Sequence, residues 1–332
     1  MKPRFYMSHE LALQVWRACR NPSVCFAKQT QAIFRPVFPD TSSREVLCKW
    51  FRGMQIGPPY CFTVSDQPQR RAPHNGFRTR FSGPLPESDS FYRIVLPEFG
   101  DAPFELYIAS PELNFVQMAA GFSLIETLGY GYELSGTYTP QESAKESPIT
   151  LLKLSSSKRL ISYSEKAKGI HGAATARKAA KHVLDNSASV KETQVATLFT
   201  LPKRCHGLAM IRPVLNRRID VDPTGKPFVS QDRFFIDLYW EGFGVGLEVD
   251  TNLHHSSNPS RIRDARRRNA LRNYGYRIVE ATQGDLQSAL GIAGLGMQVY
   301  NLMGIRPSRN QFDVSLGFIE LYRQVMRLSE YP

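Results

Sequence analysis

Several things are scarce in this sequence, and each shortage excludes something. Five cysteines stand among 332 residues, Cys19, Cys25, Cys48, Cys61 and Cys205, odd in number and never at CxxC spacing. That argues against a zinc ribbon or a disulfide framework and for a reducing, cytoplasmic compartment. Acids are in deficit, 30 against 42 basic side chains, so the net charge is +12. Such a balance favours a polyanionic partner, nucleic acid or an anionic membrane surface. Long apolar runs are rare as well. The start, MKPRFYMSHELALQVW, has no uninterrupted apolar stretch, so a signal peptide is not expected. Only residues 286–305, LQSALGIAGLGMQVYNLMGI, are free of charge over a length that could span a bilayer. Gly291, Gly294, Gly296, Gln287, Gln298 and Asn301 dilute that run, which reads instead as a buried helix packed closely through its glycines. Its loose GxxGxG follows no strand and is rejected as a nucleotide loop. No membrane partner is expected.

What is present organises into two domains, for which the length suffices. Ser8 caps a helix in HELALQVWRACR, with Glu10 in its first turn. Strand-like YRIVL (92–96) and FELYIA (104–109) lead into a helix capped by Ser110 with Pro111 at its first position. Residues 1–140 thus read as a smaller α+β domain, regulatory or DNA-binding. Residues 141–185 read as a basic linker and connecting helix: between 151 and 182, Lys153, Lys158, Arg159, Lys166, Lys168, Arg177, Lys178 and Lys181 stand against Glu165 alone. Lys178 and Lys181 are candidate nucleic-acid contacts, and a merely solvated connector fits the run equally well. Residues 186–305 alternate helix, strands, helix, strand and helix, an α/β pattern around a mixed sheet, and 306–332 form a helical tail.

The chemistry concentrates in FIDLYWEGFGVGLEVDTNLHH, residues 235–255, where two strand-like runs carry acids. Acids are depleted in strands and almost never fully buried without a partner. A hairpin around the loop EGFG pairs 240 with 245, 239 with 246, 238 with 247 and 237 with 248. Asp237 then faces Glu248 at roughly 4.5 to 5.5 Å between Cβ atoms, and Asp250 shares the face of Glu248. Like charges at that spacing repel, so a cation must hold them. Oxygen ligands of this kind suit Mg²⁺ or Mn²⁺ and place substrate phosphates on the same ion. Two alternatives stay open: neutralisation by Arg217, Arg218 or Arg233, and an edge strand whose acids face water.

The order R-x-x-x-D-L-Y-W, L-E-V-D, His254 six residues after Glu248, D-A-R-R-R-N-A-L and N-Y-G-Y-R-I-V resembles the very-short-patch-repair-like endonucleases of the PD-(D/E)XK superfamily, over about 189–282. The resemblance implies a restriction-endonuclease-like mixed sheet flanked by helices. It also implies metal carboxylates at Asp237 and Glu248, Asp250 where the superfamily's lysine stands, His254 on the family's histidine, and Glu192 as an auxiliary acid. Thr251 departs from the glycine common after the acidic pair. The missing lysine leaves its charge-stabilising role to His254, His255 or an arginine of 261–268. More weakly, MSHELALQVWR and SPELNFVQMA resemble the amino-terminal part of regulators of the abortive-infection antitoxin kind.

His254 has a residue type suited to general-base work near neutral pH. Arg261, Arg263, Arg266, Arg267 and Arg268, with Arg272, crowd one short helix against Asp264. Guanidinium groups grip phosphate in pairs of bonds, which suits a nucleic-acid backbone, although a solvated basic face would look the same. The resulting expectation is a Mg²⁺-dependent endonuclease acting on DNA rather than RNA, in a bacterial defence setting that the resemblance alone suggests. The rival is a non-catalytic nucleic-acid-binding regulator on a degenerate nuclease fold.

Overall fold

A computed structural model describes residues 2–20, 25–28 (backbone only), 34–65, 72–82, 85–86, 90–95, 102–143, 150–220, 233–249, 271 and 273–330. The chain forms two compact units, Met1–Ser135 with Leu151–Val183, and Gly136–Thr150 with Leu184–Pro332. This division differs from the expected one in two ways. The first unit is not the smaller, and its second stretch is the segment expected to be a linker.

The first unit is built on a six-stranded mixed sheet of β1 (Arg4–Met7), β2 (Cys25–Lys28), β3 (Tyr60–Val64), β4 (Phe77–Phe81), β5 (Phe91–Val95) and β6 (Glu105–Ala109), in the order β2-β5-β6-β1-β3-β4. The run YCFTV of β3 is buried throughout, as a strand covered on both faces must be. Phe5 and Tyr6, adjacent on β1, point to opposite faces. Phe5 meets Phe62 and Phe104, while Tyr6 stacks on Tyr107 and meets Phe91. α1 (His9–Ala18) buries Leu11, Ala12, Val15 and Trp16, and the Trp16 indole donates to the Ala109 carbonyl at 2.9 Å. Ser8 precedes α1 as expected but makes no side-chain cap; its hydroxyl lies 3.0 Å from Nδ1 of His9. α2 (Thr41–Gly53) follows β2, and the expected helix after Ser110 is two, α3 (Pro111–Met118) and α4 (Leu124–Ser135).

α5 (Pro140–Ser143) belongs to the second unit, whereas α6 (Ser157–Lys166) and α7 (Ala173–Ala180) pack on α3 and α4. The basic run is therefore a helical layer of the first unit. Its apolar residues Leu160, Tyr163, Ala173, Ala176 and Ala179 are buried, and Arg159 reaches the buried carboxylate of Glu112 at 3.0 Å. Gly172, at φ 94°, caps α7 where an added Cβ would stand 2.2 Å from the Val116 carbonyl oxygen. Periodicity hidden under charge was misread as linker, because a helix can bury one stripe of small residues while its lysines stay wet.

The second unit holds a four-stranded mixed sheet of β7 (Val214–Asp220), β8 (Arg233–Trp240), β9 (Val245–Val249) and β10 (Arg277–Ala281), in the order β10-β9-β8-β7. β8 runs antiparallel to both β7 and β9, and β9 and β10 run parallel. α8 (Val190–Thr200) packs on β8, with Phe199 beside Trp240. After the short α9 (Gln283–Leu286), α10 (Ala289–Met303) packs against β9 and β10. That helix is the uncharged run. As expected, it closes in through a glycine: an added Cβ at Gly296 would meet Phe312 at 2.7 Å and Met210 at 3.0 Å. Among the described residues no helix is long and apolar enough to cross a membrane. The expected tail holds α11 (Leu316–Met326), packed on α8 as part of this unit, where Gln194 donates to the Met326 carbonyl at 3.0 Å.

Candidate functional site

Glu192 sits in the first turn of α8, after the N-cap Ser189, whose hydroxyl accepts from the Glu192 amide at 3.1 Å. Its carboxylate turns back on the cap, accepting from the Ser189 hydroxyl and the Ala188 amide, each at 2.9 Å. A third donor, Nδ2 of Asn216 on β7, reaches the same carboxylate at 2.5 Å. The side chain is 6% exposed. Burial, and then the charge of Asp237, push its pKa up to about 8 in spite of those donors. A cap alone needs no neighbouring acid, so the proximity of Asp237 requires a separate account.

Asp237 lies mid-way along β8. The hairpin register is as expected at three pairs, Trp240 with Val245, Tyr239 with Gly246 and Leu238 with Leu247, around a turn at Glu241–Phe243 closed by Gly244 at φ 61°. The fourth pair is absent from the ladder. In its place the Asp237 carboxylate accepts from the Val249 amide at 2.8 Å, so an acid side chain occupies the opening between β8 and β9. Val249 follows Glu248, so the Asp237 carboxylate lies against the peptide that joins Glu248 to Val249. Glu248 is 9% exposed.

A distortion places Asp237 there. Ile236 and Tyr239 share one core cluster with Ile219, Phe234 and Leu271, and an added Cβ at Gly246, the partner of Tyr239, would meet Ile236 at 2.6 Å. Residues three apart on a regular strand point to opposite faces, so the alternation is broken between them. Facing the break on β7 is Asn216, at φ 48°, and the register of β7 with β8 skips that one pair while keeping step on both sides.

Two acids and one amide thus come together from three elements. Glu280, exposed on the parallel strand β10, stands in register with Glu248. Of the arginines that could neutralise the acids, Arg217 pairs with Glu241 at 3.1 Å and Arg218 with Asp220 at 2.6 Å. Carboxylate oxygens are the ligand type that suits a hard divalent cation. Among the described residues, however, no group of three or more His, Cys, Asp or Glu side chains is arranged to hold a metal ion. Asp250, the expected third ligand, lies outside them, as do His254, His255, Arg261, Arg263, Arg266, Arg267, Arg268 and Arg272. Lys178, exposed on α7, and Lys181, at its end, belong to the other unit. Asn216 and Glu280 were missed in the sequence, although each carries the signal that marked Asp237, a strand-averse residue inside a strand pattern. No family model, curated protein or solved structure matches the chain.

Proposed function

We propose that the second unit is a restriction-endonuclease-like domain that hydrolyses phosphodiester bonds of DNA with Mg²⁺ or Mn²⁺. The observation that carries this reading is the Asp237 carboxylate in the opening between β8 and β9, next to Glu248 and close enough to Glu192 to raise its pKa. Asp237 and Glu248 would hold the ion, with Asp250 as a third oxygen ligand. A bound divalent ion would supply activation of the attacking water and charge neutralisation at the phosphate. Glu192, anchored by Ser189, Ala188 and Asn216, sets a second carboxyl group near Asp237, which a bound cation would draw into its charged form. His254 would move the proton, and the arginines of 261–268 would grip the backbone, roles that rest on the resemblance and on residue type. The first unit is read as regulatory or DNA-contacting.

Incubating the natural chain and Asp237→Ala with plasmid DNA and Mg²⁺ tests the proposal. The natural form is expected to cut and the variant to lose at least about a hundredfold, as for loss of a residue on which the ion depends. Equal cutting by both, or none by the natural form on any nucleic acid tried, would overturn it. A second reading, a non-catalytic nucleic-acid-binding regulator, is favoured by the cap that already engages Glu192. Calorimetric titration with Mn²⁺ separates the two, because uptake lost in Asp237 and Glu248 variants belongs only to a working site.

A further inference from the structure

Asn216 is not in the expected ligand set, yet three observations meet at it. Its backbone is left-handed, φ 48°, inside a strand, a conformation that asparagine tolerates better than most residues and that ordinary strands do not contain. Its Nδ2 donates both to Glu192 Oε2 at 2.5 Å and to the carbonyl of Asn186 at 2.9 Å, which ties β7 to the start of α8. It also stands opposite Asp237 at the one skipped pair of the β7–β8 ladder, where the alternation of β8 inverts and the Asp237 carboxylate turns to the Val249 amide.

We infer that Asn216 is the positioning residue of the acidic site: its left-handed backbone releases Asp237 from the ladder, and its amide fixes Glu192 beside it. The inference rests on the metal reading above only for its functional meaning, since the geometry is testable without an ion.

The test is amide hydrogen exchange at Val249 in metal-free protein, together with Mn²⁺ titration, in the natural chain, Asp237→Ala, N216A and N216G. Loss of the Asp237 acceptor is expected to speed Val249 exchange roughly tenfold or more, the effect of one charge-assisted bond. N216A, which disfavours the left-handed backbone, is expected to do the same, while N216G, which accepts it, keeps Val249 protected. Both Asn216 variants lose the amide that holds Glu192 and are expected to weaken Mn²⁺ binding by about 10- to 100-fold, as removal of outer partners of metal ligands does. Should N216A fail to fold, N216G decides through its combination of preserved protection and weakened binding. Natural exchange at Val249 in N216A, or natural Mn²⁺ affinity in N216G, overturns the inference. A natural chain that takes up no Mn²⁺ while Val249 exchange still follows residue 216 supports the positioning and overturns the metal reading instead.

Discussion

Glu192 and His9 depart from ordinary titration in opposite directions, and each departure makes a residue-scale prediction. Glu192 holds its proton up to about 8, against 4.5 for the unperturbed group. Between those values the folded chain binds a proton that the unfolded chain has released, so stability falls as pH rises through the window. Melting of the metal-free protein should therefore decline from pH 5 to pH 8, and Glu192→Gln should flatten that slope. An unchanged slope would mean that burial and the neighbouring acid do not raise the Glu192 carboxyl. His9 behaves the other way, lowered to about 4 by burial and then by Arg80. Here the unfolded chain gains a proton first, so stability is full above about 6.5 and is lost as pH falls towards 4. His9 also sits at φ 50°, with its amide bound to Gln117 and its carbonyl to Asn114, so His9→Asn keeps a tolerated backbone while removing the titration. Acid melting of that variant should lose its dependence on pH between about 6.5 and 4.

At the scale of elements, α3 and α8 were legible, each preceded by a serine that caps it. α3 begins at Pro111 after Ser110, whose hydroxyl accepts from the Leu113 amide at 3.2 Å, and α8 follows Ser189 in the same way. β7 pairs with β8 over Val214–Asp220. α6 and α7 were not legible, since small and polar residues make up much of their buried faces, basic side chains surround them, and the decisive contact is remote in sequence. That contact is Arg159 with Glu112, whose carboxylate also accepts from Ser155 at 2.5 Å and is 3% exposed. Arg159→Ala strips a nearly buried acid of its cation. It should cost about 2 kcal/mol, below the full cost for a buried pair because Arg159 is itself half exposed. Chemical denaturation of the variant measures it, and a shift under about 0.5 kcal/mol, the range of an ordinary surface change, would refute the tethering role.

For the whole molecule, the chain crosses between its two units more than once. Gly136–Thr150 folds with the second unit, where the Thr137 amide donates to the Ser187 carbonyl at 2.8 Å and Tyr138 meets Thr193 at 2.7 Å. Leu151–Val183 then returns to the first. A cut at the expected domain border therefore severs a core. A fragment of residues 1–140 lacks α6 and α7, leaves the apolar face of α3 and α4 uncovered, and is expected to melt without cooperativity. A fragment of residues 1–183 should melt cooperatively. Circular dichroism on both decides the matter, and a sharp transition in the shorter one would show the helical layer to be dispensable.

Alone, the sequence determined that two strand-forming runs with misplaced acids adjoin one another, and their hairpin register, because period-two alternation and a four-residue loop leave few pairings. Glu192 was named through the family resemblance alone. Only the tertiary structure decided that the ladder opens at Asp237, that Asn216 stands opposite it, that Glu280 is in register with Glu248, and that a basic run belongs to a core. Parallel pairing, a left-handed residue opposite a break, and burial beneath charged side chains all depend on partners remote in the chain, which no local pattern encodes.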